Sequence, residues 1–269
     1  MGRLLIWEAP RPGHHYVISG DVAEGVEQDR SVATVLRVDT LAEPAEEVAQ
    51  FVSDKITPHD FAYVVDQAGR FYGDGEQEAL AAVECNGHGI ATQTELQRHL
   101  GYQNLFRWQY YDADSVKRSF SHKLGWWTNT RTRPLIVTNL LECLARRDPV
   151  SGLPDVVVRS PITMEELRSL FVAPGYPTWS ASASAGAHDD AFMSLAIAAW
   201  VARAEFGQDR ESVADARRRK IAEQSARATA EARAGKFDYQ NTDATADDVR
   251  LARGEDSLQE GEDYGFAGY

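Results

Sequence analysis

AHDDAFMSLAIAAWV, residues 187–201, decides how the rest of the chain is read. From Phe192 through Leu195, Ile197 and Trp200 it is almost wholly apolar, which predicts a helix buried on most of its surface against a sheet. Asp189 and Asp190 open that helix. Asp189 stands where an N-cap belongs, and an oxygen there would accept a free backbone N–H while the helix dipole favours its charge. Capping needs one acid, however. Two adjacent acids after a Gly-containing loop, held by a rigid helix, suit a hard divalent cation. The remaining ligands must come from elsewhere in the chain.

Upstream of this stretch, residues 179–187 are small and polar, Ile162 to Phe171 has helical spacing with a Thr163-x-x-Glu166 capping-box pattern, and Val156 to Val158 is a short strand. Pro134 to Leu144 predicts a helix through Leu135, Val137, Leu140, Leu141 and Leu144, with Pro134 in its first turn. Near the start, Tyr16 to Asp21 reads as a strand running into the acidic, Gly-containing turn AEGVEQD, and Ser31 to Val38 as its hairpin partner. Glu46 to Ser53 is a third strand, and Pro58 to Tyr72 a helix with Phe61, Val64, Val65 and Phe71 facing the core. Leu80 to Asn86 is an apolar, central strand whose alternation sets Ala82 and Glu84 on one face and Ala81, Val83 and Cys85 on the other. An acid at Glu84 is costly without a partner, whether that partner is a salt bridge, solvent or a metal. Thr92 to Leu100 is a short helix and Leu105 to Tyr110 a further strand. Strands that precede helices in this way make an α/β or α+β layer structure.

At 269 residues the chain can bury a sizeable core and carry an appendage. The divisions expected are a lead-in segment or linker remnant over residues 1–15, a folded domain over 16–206, and a charged helix with an acidic tail over 207–269. The tail residues Tyr264, Phe266 and Tyr269 are possible docking points, although solubility alone explains an acidic tail. No apolar run reaches membrane-spanning length and the start lacks a signal peptide, so a soluble intracellular protein is expected. Cys85 and Cys143 are too few for a disulfide framework, and Cys85-x-x-His88 has no second pair to complete a zinc site.

A formal net charge of −13 argues against general attraction to nucleic acid. The run KRSFSHKLGWWTNTRTR, residues 117–133, inverts that sign locally, with Lys117, Arg118, Lys123, Arg131 and Arg133 and no acid. It is either a solvated loop or one wall of a DNA groove in which Arg131, Arg133, Lys117 and Lys123 contact phosphates.

Asp21, Glu84 and the pair Asp189 and Asp190 all stand at ends of rigid elements. If the sheet sets Asp21 beside Glu84 and the last helix packs across it, the acids converge and repel one another. Such a cluster needs protons or divalent cations, and Mg²⁺ or Mn²⁺ suits an all-oxygen site. Two ions about 4 Å apart would serve phosphodiester hydrolysis. His188 could assist with metal or proton, but a histidine before an N-cap more often shapes the loop. Asp29 reads as a turn residue. His14, His15 and the pair Trp126 and Trp127 read as lead-in polar residues and groove or core packing respectively.

GDVAEGVEQDRSV, AAVECNGHG, GWWTNTRTRP and GAHDDAFMSLAIAAW, in that order, resemble the nuclease domain of the tailed-bacteriophage terminase large subunit. The resemblance spans roughly Tyr16 to Glu205. It implies a ribonuclease H-like mixed central sheet flanked by helices, and a metal-dependent endonuclease that cuts concatemeric duplex DNA as it is packaged into a procapsid. It implies metal and catalytic roles for Asp21, Glu84, Asp189 and Asp190 with Mg²⁺ or Mn²⁺. It further implies portal protein and a small terminase subunit as partners, a monomeric isolated domain without a membrane, and a place in the host cytoplasm at the portal. No G-x-x-x-x-G-K-[ST] stretch is present, so ATP hydrolysis is not expected, and the chain is an isolated nuclease domain or a shortened relative. Three rivals stand beside this reading: another ribonuclease H-like nuclease such as a junction resolvase, a sugar-kinase or actin-like ATPase lacking its second phosphate loop, and a non-catalytic packaging adaptor that binds portal or capsid protein.

Overall fold

The computed structural model describes residues 2–24, 29–38, 43–111, 120–147, 151–172, 181–183, 188–207, 225–227 and 229. In chain order the elements are β1 (Arg3–Ile6), β2 (Tyr16–Asp21), β3 (Ser31–Arg37), β4 (Ala45–Ser53), α1 (Pro58–Phe71), β5 (Leu80–Val83) and α2 (Gly89–Thr94), which runs into a π-helical turn at Glu95–His99. They continue with β6 (Arg107–Tyr111), β7 (Phe120–Leu124), α3 (Thr132–Ala145), β8 (Val156–Val157), α4 (Pro161–Ser169), β9 (Leu170–Val172), β10 (Ala181–Ala183) and α5 (Asp190–Phe206). The expected hairpin forms with Asp21 at the end of its first strand, opposite Val32.

The sheet order is β1-β4-β3-β2-β5, with β8 added to β4. β1, β4, β3 and β2 pair antiparallel, while β5 runs parallel to β2. Alternation along each strand divides the core into two layers. Val17, Leu36, Leu80 and Ala82 pack with α5 residues Phe192, Leu195 and Ile197 and with Val137 and Leu140 of α3. Ile18, Val35, Ala81 and Val83 pack with Phe61 and Val65 of α1 on the opposite face. The architecture is a mixed α/β sheet of ribonuclease H-like order with helices on both faces. Helix α1 shows how local chemistry sets these boundaries: Pro58 occupies its first turn, and the Thr57 hydroxyl accepts the Asp60 N–H at 3.1 Å.

Several details differ from the sequence reading. Residues 3–6 of the lead-in form β1, an edge strand on β4. β5 stops at Val83, and isolated bridges from Ala81 to Leu105 and from Glu84 to Trp126 replace a further strand on its outer side. The short helix begins at Gly89 rather than Thr92. Phe71, expected in the core, is exposed at 52%. Phe71 is the last residue of α1, and its neighbour Tyr72 is the buried one. The capping box is also corrected. Ser160 caps α4, its Oγ accepting from Ile162 N at 3.1 Å and Thr163 N at 3.2 Å, while Thr163 and Glu166 face the interior.

The reason Thr163 turns inward is Glu47. This fully buried carboxylate on β4 accepts from the N–H groups of Arg159 and Ser160 at 3.0 and 2.8 Å, from the Thr163 hydroxyl at 3.2 Å and from Gln50 Nε2 at 3.1 Å. Burial pushes its carboxyl from 4.5 up to about 7, although the bonds from Ser160, Arg159 and Thr163 pull the other way. Between those values the folded chain keeps a proton that the unfolded chain has lost, so this group's contribution to stability declines as pH rises through that window. Glu47→Gln cannot titrate. Relative to it, the wild type should lose about 2–3 kcal/mol of unfolding free energy between about pH 5 and about pH 8. Urea melts at the two pH values check this, and parallel pH profiles for both proteins would refute it.

The chain divides into two units, Met1–Arg217 and Arg218–Tyr269. Within the second, residues 225–227 and 229 are helical and exposed, in the stretch read as a charged helix. The acidic tail with Tyr264, Phe266 and Tyr269 lies outside the described residues, as does Lys117. Among the described residues no helix is long and apolar enough to cross a membrane.

Candidate active site

Parallel pairing sets Gly20 opposite Val83, so Asp21 and Glu84 leave the ends of adjacent strands side by side. The Glu84 N–H donates to Gly20 O at 2.7 Å and fixes that juxtaposition. By alternation both acids share the sheet face of Val17 and Ala82, which is the face covered by α5. A hydrogen bond of 2.9 Å between the fully buried hydroxyls of Ser19 on β2 and Ser194 on α5 sets how far along the sheet the helix lies. The start of α5 is thereby brought over the strand ends, and with it Asp189 and Asp190.

Asp21 registers this convergence. Burial first, then the Glu84 carboxylate with which it shares a hydrogen bond, then Asp190 and Asp189, push its carboxyl well above the ordinary value. Asp190 is also raised by burial and by Asp189 and Asp29, against the opposing pull of the Arg30 N–H and His188. Its Oδ2 accepts from Arg30 N at 3.3 Å and lies 3.4 Å from His188 Nδ1. Glu84 is steadied by Asn86, whose amide donates to Glu84 Oε1 at 3.0 Å and also to the carbonyl of Thr128 in the GWWT loop.

Asp189 occupies the N-cap position of α5 but its side chain makes no capping bond. It pairs instead with the guanidinium of Arg133, from the first turn of α3. Asn129 organises that turn, accepting from Arg131 N at 2.8 Å and Thr132 N at 3.0 Å. Arg131 is exposed beside it, and Lys123 places its ammonium 4.4 Å from the Trp127 ring centroid. Trp126 is buried in the core. Cys85 and Cys143 are buried and outside any disulfide. Among the described residues no three His, Cys, Asp or Glu side chains are grouped closely enough to hold a metal ion as they stand. Asp189 is engaged by Arg133 and Asp190 by the Arg30 N–H.

No protein-family model matches the sequence, and no curated protein matches it. Solved structures do. The large terminase nuclease of thermophilic phage G20c aligns at 24% identity and a TM-score of 0.50 over 72% of this chain and 86% of that one. The same nuclease with bound cobalt aligns at 22% and 0.52, and with bound magnesium at 22% and 0.51, each over 73% of this chain and 86% of the other. The fold is that of a large-terminase nuclease.

Within this terminase-nuclease fold the acids singled out from the sequence stand together at one end of the sheet, on three separate elements. Two neighbours escaped the sequence reading. Arg30 follows the turn between β2 and β3 and donates its N–H to Asp190, while Glu166 of α4 bonds the Phe192 N–H in the first turn of α5. The Thr163-x-x-Glu166 spacing marked a local cap, and no local signal tied Glu166 to a helix that begins more than twenty residues later.

Proposed function

We propose that this chain is a divalent-cation-dependent DNA endonuclease domain of a viral packaging terminase, cutting concatemeric duplex DNA by phosphodiester hydrolysis with two ions, Mg²⁺ or Mn²⁺. The observation that carries this reading is the convergence of Asp21, Glu84, Asp189 and Asp190, with Asp21 held above its ordinary range by burial first and then by the other three. An all-oxygen donor set under mutual repulsion fits a hard divalent cation. The bound cobalt and magnesium in the G20c large terminase nuclease support a cation of this kind. In the full assembly, portal protein and the small subunit are the partners proposed, at the portal in the host cytoplasm.

Asp21, Glu84, Asp189 and Asp190 would hold the cations, which when bound supply Lewis acidity toward a phosphate oxygen and lower the pKa of a water. The protein's own groups do the rest. Asn86 keeps Glu84 aimed at the site, and the Arg30 N–H and His188 hold Asp190. Arg133 pairs with Asp189 and thereby holds a guanidinium at the rim of the carboxylate centre, where it would meet a DNA phosphate. Arg131 and Lys123 extend this basic rim, giving affinity for the backbone without base readout.

The test is a cutting assay on linear duplex DNA, with four-way junction and RNA–DNA hybrid as parallel substrates. Duplex should be cut in Mg²⁺ or Mn²⁺ and left whole in a chelator. Preference for the junction would move the protein to the resolvases, and cutting that survives chelation would sink the proposal. Replacing Arg131 and Arg133 with Ala should weaken duplex binding and lower the slope of log affinity against log salt by about 2. An unchanged slope would remove both from the DNA surface.

A further inference from the structure

Helix α5 begins with two carboxylates and is capped by neither. Its first-turn N–H groups at Phe192, at 2.9 Å, and at Ala191 are taken instead by Glu166, which reaches across from α4. Glu166 is only 5% exposed, and its second oxygen, Oε1, is buried without a hydrogen-bond partner among the described residues. The Arg30 guanidinium lies 3.9 Å from Oε1. Burying a carboxylate so sparsely bonded is costly. An Asp at the N-cap could satisfy the same donor locally, at the surface and without that cost.

The arrangement makes sense if Asp189 is needed elsewhere. We infer that Glu166 is a positioning residue for the carboxylate centre: by capping α5 from a neighbouring helix it leaves both Asp189 and Asp190 directed out of the helix and available to a cation. This rests on the reading of that centre as a divalent-cation site. The Arg30 guanidinium lies 3.9 Å from Glu166 Oε1, and the Arg30 N–H donates to Asp190. The position of Glu166 is fixed from below, because Ser160 and Thr163 at the start of α4 are bonded to Glu47 and Gln50 on β4.

The test measures Mn²⁺ binding by calorimetry, and amide exchange across residues 190–193, in the whole chain. Glu166→Ala should weaken Mn²⁺ binding by about tenfold or more, as losing a group that orients metal ligands does, and should speed exchange at Ala191 and Phe192. Glu166→Asp keeps the charge but withdraws the oxygen from Phe192, and it should show the same loss; it decides the matter if the Ala variant does not fold. Glu166→Gln should recover binding to within about threefold of wild type, since its amide oxygen still accepts from Phe192 and its NH₂ replaces an oxygen that receives no hydrogen bond. Folded Ala and Asp variants that bind Mn²⁺ as tightly as wild type would overturn the positioning role alone. A wild type that binds no Mn²⁺ would overturn the cation site and this role together.

Discussion

Asp21→Asn will abolish strand cleavage, by about a thousandfold or more, and will at the same time raise the melting temperature. The two effects have one cause. In the folded chain the Asp21 carboxylate is buried and faces Glu84, Asp190 and Asp189, all of which oppose its ionisation. An asparagine has nearly the same shape, removes one of the clustered charges, and can donate its amide N–H to Glu84. The expected gain is about 0.5–2 kcal/mol, the range found when a site held ready for function is relaxed. Because the carboxyl is raised in the fold, its ionisation costs stability at neutral pH and above. The gain should therefore shrink on acidification, as the wild-type group takes up its proton. An acid with a purely structural role would behave oppositely, since its loss would lower stability at neutral pH. Gel assays of duplex cutting and melting scans at two pH values check the pair of effects. A variant that cuts like wild type, or one that melts below it, would show that Asp21 is not part of a strained cation site.

What could be read in the chain, and what could not, divides along the range of the interactions. The hairpin around Asp21 was legible because β-branched runs flank a turn rich in Gly and acids, a local pattern that also fixes which residue ends the strand. α5 was legible because its apolar run is unbroken on nearly every side. Glu84 followed from strand alternation, and the structure sets it on the same face as Asp21. What escaped were pairings set by the packing of distant elements. The sequence offered Arg133 as a phosphate contact but gave no sign of its pairing with Asp189. Asp189, read as a cap or a metal ligand, stands at the N-cap position but leaves the capping bonds to Glu166. The same blindness explains Phe71, whose spacing fits a core face but whose helix, once docked, turns it outward. Spacing shows which residues share a side of a helix, whereas the angle at which the helix settles decides how much of that side is covered.

Gly125→Ala tests the least obvious part of the site's construction. Among the described residues β5 has no full-length neighbour on its outer side, and the GWW loop substitutes for one. Gly125 N donates to Phe106 O at 2.8 Å, Trp126 N to Val83 O at 3.0 Å, and Cys85 N to Trp126 O at 2.7 Å. So close an approach leaves no room for a side chain at Gly125. Its φ is +72°, and a β-carbon there would fall 2.4 Å from both Cys85 Sγ and Gln93 Nε2 and 2.5 Å from Val83 O. The left-handed backbone costs an alanine about 1 kcal/mol, and forcing the loop outward about 1–3 kcal/mol more. The movement would not stay local. Trp126 is wholly buried against Trp108 and Trp200, and two residues on, the Thr128 carbonyl accepts from Asn86, which holds Glu84. Gly13 supplies the control, with φ +79° but nothing within 4 Å of its would-be β-carbon. Gly13→Ala should cost only the backbone part, about 1 kcal/mol. Gly125→Ala should cost about 2–4 kcal/mol in urea melts and should slow cutting even at temperatures where it stays folded. If the two variants prove equally stable, the loop is not pressed against β5 as tightly as these distances require, and Glu84 must owe its placement to something other than this contact.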